Sequence, residues 1–431
     1  MEVENKYFDV LPKIVRADAE SMIEIVPRFE HCAFRPDRQY EASYFPTEES
    51  AERSGWSPGR KLDVAPATDR LRVPLYFEGE QEHVLYVEEV NGTERKVVGD
   101  FRVYSLEDDL FARRPYKGDV HQHSCRSDGR EAPAYVAGAC RRIGLDFMAL
   151  TDHGQYMPSI EAQRAYEGLD LDLRIYPGEE VHPPANPVHM INFGGRFSVN
   201  ELFRDESAYR AGVAQIEEAL GAVPPGVDPH QYASCQWCFD RIREAGGLGV
   251  FCHPYWFTSH RYSPSGALTS YLFQKQPFDA FELIGGFHRD EVDSNTLQVA
   301  RYHEERAQGR RIPIVGVSDA HGCERGELFG WYYSIAFSPS SDLPDLVESI
   351  KDLYSVAVEA IPQQAARAYG PFRLVKYALF LLREVFPQHD ALCVEEGRLM
   401  LEHAGGNTQA GAALGALKGR TRALLQRYWA P

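Results

Sequence analysis

Residues 118–129 read Gly-Asp-Val-His-Gln-His-Ser-Cys-Arg-Ser-Asp-Gly. If the first half of this run is a strand, Gly118–His123, then His121 and His123 lie two apart and point to the same side. Two imidazoles on one face are the beginning of a metal site, although an HxH pair also arises by chance. Immediately after it, Ala134, Val136, Ala137, Cys140 and Ile143 fall at helical spacing, and Gly144 is placed to stop that helix. A strand that ends in ligand-type side chains and feeds a helix is the unit of an α/β protein.

The same grammar repeats downstream. Candidate strands are Gly118–His123, Asp146–His153, Leu173–Glu180, Val188–Phe193, Leu248–His253, Ala280–Ile284 and Ile312–Asp319. Nearly every one closes on His, Asp or Glu: Thr151-Asp-His153, Pro177-Gly-Glu-Glu180, Val188-His189, Cys252-His-Pro254 and Ser318-Asp-Ala-His321. Parallel α/β architectures collect functional groups at the carboxyl ends of their strands, and a barrel gathers those ends around one pit. Imidazoles and carboxylates left unpaired in such a pit are costly, and bound metal ions remove the cost.

The HxH…SDG segment, the TDH triplet, the G-x-E turn, the HP pair and the SDAH ending resemble, in order, the motifs of the PHP family. That family is named for polymerase and histidinol phosphatase, and the resemblance spans roughly Tyr116–Ser338. It implies a distorted (β/α)7 barrel over residues 116–340 and two to three divalent ions, with zinc, manganese and iron all compatible with nitrogen and oxygen ligands. Carried over residue by residue, one ion takes His121, His123, Glu180 and Asp319. A second shares Glu180 and adds His189 and His253; a third takes Asp128, His153 and His321. His182 and Glu282 are nearby competitors for which a supporting role is expected, and Glu179 should face away from the pit. Gln122 and Gly154 depart from the usual motif without removing a ligand.

The implied activity is that of a metal-dependent hydrolase, with a metal-bridging hydroxide as nucleophile and Asp319 and His321 at the reacting centre. Three divalent ions offset by three carboxylates leave roughly three positive charges, which favours a phosphate ester as substrate. Arg126 or Arg130 could clamp the phosphate, and His288 could protonate a leaving group. Tyr156, Tyr255 and Trp256 follow ligand motifs and could wall an organic group. A looser likeness of the flanking regions to carbaryl hydrolase makes carbamate, ester or amide hydrolysis the alternative. An inactive metal-stabilised binding protein should lack ligands, whereas all nine positions are filled.

Residues 1–115 carry short β-forming runs, Ser21–Val26, Leu71–Phe77 and His83–Val87, with turn pieces such as Asn91-Gly92, and predict a β-sandwich-like supporting domain. Residues 341–431 predict a helical extension, since Val347, Ile350, Leu353 and Tyr354, and later Leu374, Tyr377, Ala378 and Leu381, repeat at helical spacing. The long insertion Gly194–Ser234, with Pro224-Pro-Gly226 and a helical piece near Ile216–Leu220, reads as a lid. A net charge of -17 over 431 residues argues against nucleic acid or an anionic membrane as partner, and the resemblance implies a small-molecule substrate. No run approaches the ~20 apolar residues of a membrane span. Without a signal-peptide pattern, and with eight scattered cysteines of which only Cys235 and Cys238 are spaced CxxC, a cytoplasmic protein with reduced thiols is expected.

Overall fold

The computed structural model describes residues 3–49, 59–64, 66–67 and 69–431. Its chain forms a mixed α/β structure with two compact units: Met1–Arg114 with Lys376–His389 and Gly419–Pro431, and Pro115–Val375 with Asp390–Lys418.

In the first unit, side-chain alternation builds two sheets. Along Arg70–Phe77, Leu71, Val73, Leu75 and Phe77 are buried while the residues between them are not, the period-two pattern of a half-buried strand. This strand pairs antiparallel with Ala19–Pro27. The second sheet is centred on the hairpin of Glu82–Asn91 and Glu94–Leu106, whose turn places Gly92 at φ 62. Ile23, Ile25, Leu71 and Val73 from one sheet and Leu85, Val87, Phe101 and Val103 from the other share one apolar core. Each such fully buried aliphatic side chain contributes roughly 1.5–3 kcal/mol. Lys13, also buried, is neutralised by Glu384 at 3.0 Å, on a late helix, Phe372–Glu384.

The second unit holds a six-stranded and a five-stranded sheet. One runs Arg174–Tyr176, Phe147–Ala149, Arg114–Asp119, Tyr332–Ser338, Ser355–Glu359, Arg367–Tyr369; the other runs Gly178–Val181, Met190–Phe193, Leu248–Phe251, Ala280–Ile284, Ile314–Gly316. Three features differ from a regular seven-unit parallel barrel. The expected strand Leu173–Glu180 breaks at Pro177, which has no N–H to donate to a ladder, and its halves join different sheets. Met190–Phe193 pairs antiparallel with both Gly178–Val181 and Leu248–Phe251. Only residues 182–189 separate it from the preceding strand, too few for the dozen or so that a parallel crossover needs. Finally, continuous strand pairing does not close into a barrel among the described residues. The two sheets meet instead through isolated bridges, Gln122 with Ala320 and His153 with Glu180.

The insertion after Gly194 is no open loop. Helix Glu206–Leu220 packs on helix Pro229–Glu244, with Phe203, Tyr209 and Trp237 in edge-to-face and tilted contact at ring separations of 5.0–5.9 Å. The C-terminal reading also needs correction. Helix Leu343–Lys351 ends before Leu353, which has φ 69, and Ser355–Glu359 is a buried strand. The alternating β-branched Val356 and Val358 suit a sheet better than a helix. Later helices are divided between the two units: Glu396 braces buried Arg141 at 2.7 Å in the second, whereas Glu384 meets Lys13 in the first.

Candidate metal centre

The ligand-type residues lie just beyond the strand ends, where backbone hydrogen bonds cross between neighbouring segments. Asp319 N–H donates to the His121 carbonyl at 2.8 Å, and His123 N–H to that of Ala320 at 2.9 Å. On the other side, Thr151 N–H donates to the Gln122 carbonyl at 2.8 Å and Gly154 N–H to that of Glu180 at 2.9 Å. His253 and Asp319 adopt φ of 22 and 53, costly for residues other than glycine and typical of positions where a side chain must be aimed. Buried Asp119 accepts from His121 N–H at 3.2 Å and Ser318 N–H at 3.1 Å, tying the first and last motifs together.

Glu180 is the hub. It is fully buried, and its carboxylate contacts His153 and lies 2.8 Å from His189 Nδ1, 3.3 Å from His182 Nε2, 3.6 Å from His253 Nε2, 3.7 Å from His121 Nε2 and 3.8 Å from His123 Nε2. Asp319 is a second centre, its Oδ1 2.9 Å from His123 Nε2 and 3.2 Å from His121 Nε2. Asp128, more exposed, lies 3.4 Å from His153 Nε2 and 3.3 Å from His321 Nε2. His321 Nδ1 is fixed by the Asp319 carbonyl at 2.8 Å. The nine ligand candidates named from the sequence thus converge.

His182 belongs with them geometrically. Its ring stacks on His189 at 4.1 Å, and its Nε2 is 3.0 Å from His153 Nδ1. Sequence placed it near the pit but could not say how near, because it lies in the tight connection after Gly178–Val181. Asp152 has a supporting role that the TDH motif alone does not reveal: it accepts from Ser124 N–H at 2.9 Å and Ser127 N–H at 3.0 Å, ordering the loop that presents Asp128. Glu179 turns away, as alternation along a strand requires, and accepts from Ser198 Oγ at 2.6 Å and Asn200 Nδ2 at 2.8 Å. Glu282 Oε2 lies 3.0 Å from His121 Nδ1, the way a carboxylate orients a ligating imidazole.

Arg126 and His288 stand apart from this cluster. Arg126 makes a two-pronged pair with Glu161 at 2.9 and 2.7 Å, and His288 pairs with Glu327 at 3.4 Å while half exposed. Arg130 donates to the Arg325 carbonyl at 2.8 Å. Tyr156 donates to the Gly195 carbonyl at 2.8 Å.

Charge and burial compete throughout the cluster. Burial disfavours charge on His121, yet Asp319, Glu180 and Glu282 outweigh it and hold its pKa well above the ordinary value. Burial also opposes ionisation of Glu180, but His121, His153, His182 and His189 keep it well below the usual carboxylate range. Asp319 is likewise lowered against burial, by His121, His123 and His253. His189 is pushed down to about 4 by burial, and His123 is lowered for the same reason. His189, held near 4, is neutral near pH 7, the form of imidazole that ligates metal.

Hydrogen bonds leave this cluster incomplete. Both Glu180 oxygens, His121 Nε2, His123 Nδ1 and His189 Nδ1 are buried without a hydrogen-bond partner, although several are within 4 Å of one another. An orphaned buried polar group costs about 1–3 kcal/mol, more when charged. Close approach without hydrogen-bond alignment is what side chains show when they share a central cation. Ligand atoms of His123, Asp128, His153 and His321, of His121, His123 and Asp319, and of His121, Glu180 and His253 each fall within 4.8 Å of one another. The donor set of imidazole and carboxylate fits divalent ions.

Comparison with known proteins adds the following. No family model matches the chain. A stretch of 58 residues is 40% identical to DNA polymerase/3'-5' exonuclease PolX of Bacillus subtilis, covering 14% of this chain and 10% of the polymerase. A two-domain protein from Bacteroides vulgatus, containing a predicted PHP-like metal-dependent phosphoesterase, is similar in structure at TM-score 0.39. Its identity is 17%, over 57% of this chain and 65% of that one. An amidohydrolase from Chromobacterium violaceum, solved with sulfate and no metal, aligns at TM-score 0.32 and 21% identity over 49% of this chain and 89% of that one. Among the described residues, no helix is long and apolar enough to cross a membrane.

Proposed function

We propose that this protein is a metal-dependent hydrolase of the PHP type and that its substrates are phosphate esters of small molecules. The observation that carries this reading is the convergence of His121, His123, His189 and His253 on a fully buried Glu180 whose two oxygens have no hydrogen-bond partner. In this reading residues 116–340 are the catalytic region, built on the two sheets of the second unit. The local identity to a polymerase accords with a family that takes half its name from polymerases. Eight scattered cysteines, of which only Cys235 and Cys238 are spaced CxxC, fit a reducing compartment such as the cytoplasm.

One ion would be held by His121, His123, Glu180 and Asp319, a second by Glu180, His189 and His253, and a third by Asp128, His153 and His321. When bound, two to three such ions supply Lewis acidity and an activated water for attack on the ester. The chain's own contribution is placement. Buried Glu180 and Asp319 fix the spacing of the sites, and Glu282 holds the His121 ring through its Nδ1. The half-exposed side, at Asp128, His153 and His321, is open to an incoming anion. To reach that anion, Arg126 would have to leave Glu161, and His288 would have to leave Glu327.

Carbamate, ester or amide hydrolysis is the second reading, favoured by the apolar face of Trp256 beside His189 and His253. The test is to purify the protein without chelators and assay it on matched aryl phosphates, carbamates and esters. Release of phosphate that is lost on chelation and regained with zinc, manganese or iron is expected. Cleavage of carbamates or esters alone would promote the second reading, and no metal-dependent cleavage of any panel member would reject both.

A further inference from the structure

Directly after His253-Pro254 the chain forms a small hairpin, Trp256–Thr258 paired with Arg261–Ser263. Thr258 pairs with Arg261, so the loop has only Ser259 and His260, with φ of 49 and 63. Two successive residues with positive φ define the mirror-image turn that hairpins favour, normally supplied by Asn and Gly. Here neither residue is Gly or Asn, so the turn is held at a conformational cost. What this turn supports is aromatic and exposed: Trp256 is 41% accessible, Phe257 57% and Tyr262 42%.

Alternation separates the two faces of the hairpin. Phe257 and Tyr262 are cross-strand partners with rings 5.6 Å apart, and Tyr255 supports Tyr262 at 5.8 Å. Trp256 instead meets the candidate metal centre. Its ring centroid is 6.1 Å from that of His189 and 6.3 Å from that of His253. Its backbone N–H donates to the His253 carbonyl at 3.1 Å, which locks it to a ligand motif. An ester seated at Glu180 and Asp319 would therefore bring a group bonded to it within stacking range of the indole.

We infer that Trp256, carried on this hairpin, is a specificity-determining residue that selects substrates with a planar aromatic group next to the bond that is cleaved. The inference rests on the proposed hydrolase reading and narrows its substrate class. A half-exposed indole gains contact area and ring-stacking energy only when a flat apolar group covers it. Phe257 and Tyr262 stiffen the hairpin from the opposite face and need not touch the substrate.

The test uses the full-length, metal-loaded protein and calorimetric binding of inorganic phosphate, methylphosphonate and phenylphosphonate, with parallel kinetics on phenyl and methyl phosphate. In the binding measurements the wild type should prefer phenylphosphonate to methylphosphonate by roughly tenfold, and Trp256→Ala should bring that affinity ratio close to one while Trp256→Phe retains most of it. The kinetic phenyl preference, which also carries the better leaving group, should shrink by the same factor. Retention of metal by each variant shows that the fold is intact. Equal affinity for phenyl and methyl compounds in the wild type, with phosphate binding and turnover present, would overturn the role of Trp256 and leave the hydrolase reading standing. A phenyl preference that survives Trp256→Ala would do the same. Failure to bind any of the anions, with no turnover, would overturn the hydrolase reading itself and this inference with it.

Discussion

Both units of this protein bury histidine, and they do so in opposite ways. In the N-terminal β-rich unit His83 is fully enclosed, and both ring nitrogens are satisfied: Nδ1 by Tyr44 Oη at 2.8 Å and Nε2 by Ser105 Oγ at 2.7 Å. In the second unit His121 and His123 are as deeply buried, yet each keeps one ring nitrogen without a hydrogen-bond partner. A histidine with two partners is a finished piece of core. Histidines that crowd a carboxylate without closing their hydrogen bonds are waiting for something with more coordination positions than a proton, and a divalent cation meets that description.

The sharpest way to break this contrast is to remove a hub carboxylate. Asp319→Ala should lower turnover by about a thousandfold or more, because several kcal/mol of transition-state stabilisation depend on the bound ions. Steady-state kinetics with metal analysis of the same sample would check it, and activity that survived would mean the cluster is not the reacting centre.

The next largest effect belongs to the finished histidine. Burial pushes the His83 pKa down from 6.5 to about 4. The unfolded chain therefore binds the extra proton first as pH falls. The contribution of neutral His83 to stability is whole above pH 6.5 and is lost progressively as pH drops towards 4, by up to about 3 kcal/mol. Chemical denaturation followed by a probe in the N-terminal unit should show this decline, and His83→Gln should flatten it.

Glu282→Gln tests orientation rather than ligation. Losing the carboxylate behind His121 should weaken metal affinity or turnover by about 10–100-fold, measurable by competition with a chromophoric chelator. The smallest change expected is from Arg126→Ala. Its pair with Glu161 is exposed and screened by solvent, so the melting temperature should scarcely move.

Much of the cluster was legible because its motifs are local. An HxH pair at a strand end needs only the two-residue period to align its rings, and TDH, HP and SDAH each close a short apolar run. The unforeseen parts depend on partners distant in sequence. Nothing near Met190–Phe193 announces that it runs antiparallel; the reason is the shortness of the connection at residues 182–189. That same tight connection brings His182 against His153 and His189. Pro177 lies inside the single strand expected over Leu173–Glu180, and nothing local shows that its two sides serve different sheets. Val356 and Val358 sit in a stretch that follows a helical repeat, and pairing with both Tyr332–Ser338 and Arg367–Tyr369 fixes them as strand. Arg126, placed beside the HxH pair by sequence, is drawn to Glu161, thirty-five positions away.

The most direct test of the account is the metal content of the protein itself. Protein purified without chelators, then reconstituted separately with zinc, manganese and iron and freed of excess ion, should retain two to three equivalents of at least one metal by elemental analysis. Glu180→Gln, prepared alongside, should retain markedly less. Wild-type protein that holds no metal under any of these conditions would contradict the account and leave the histidine cluster a structural feature.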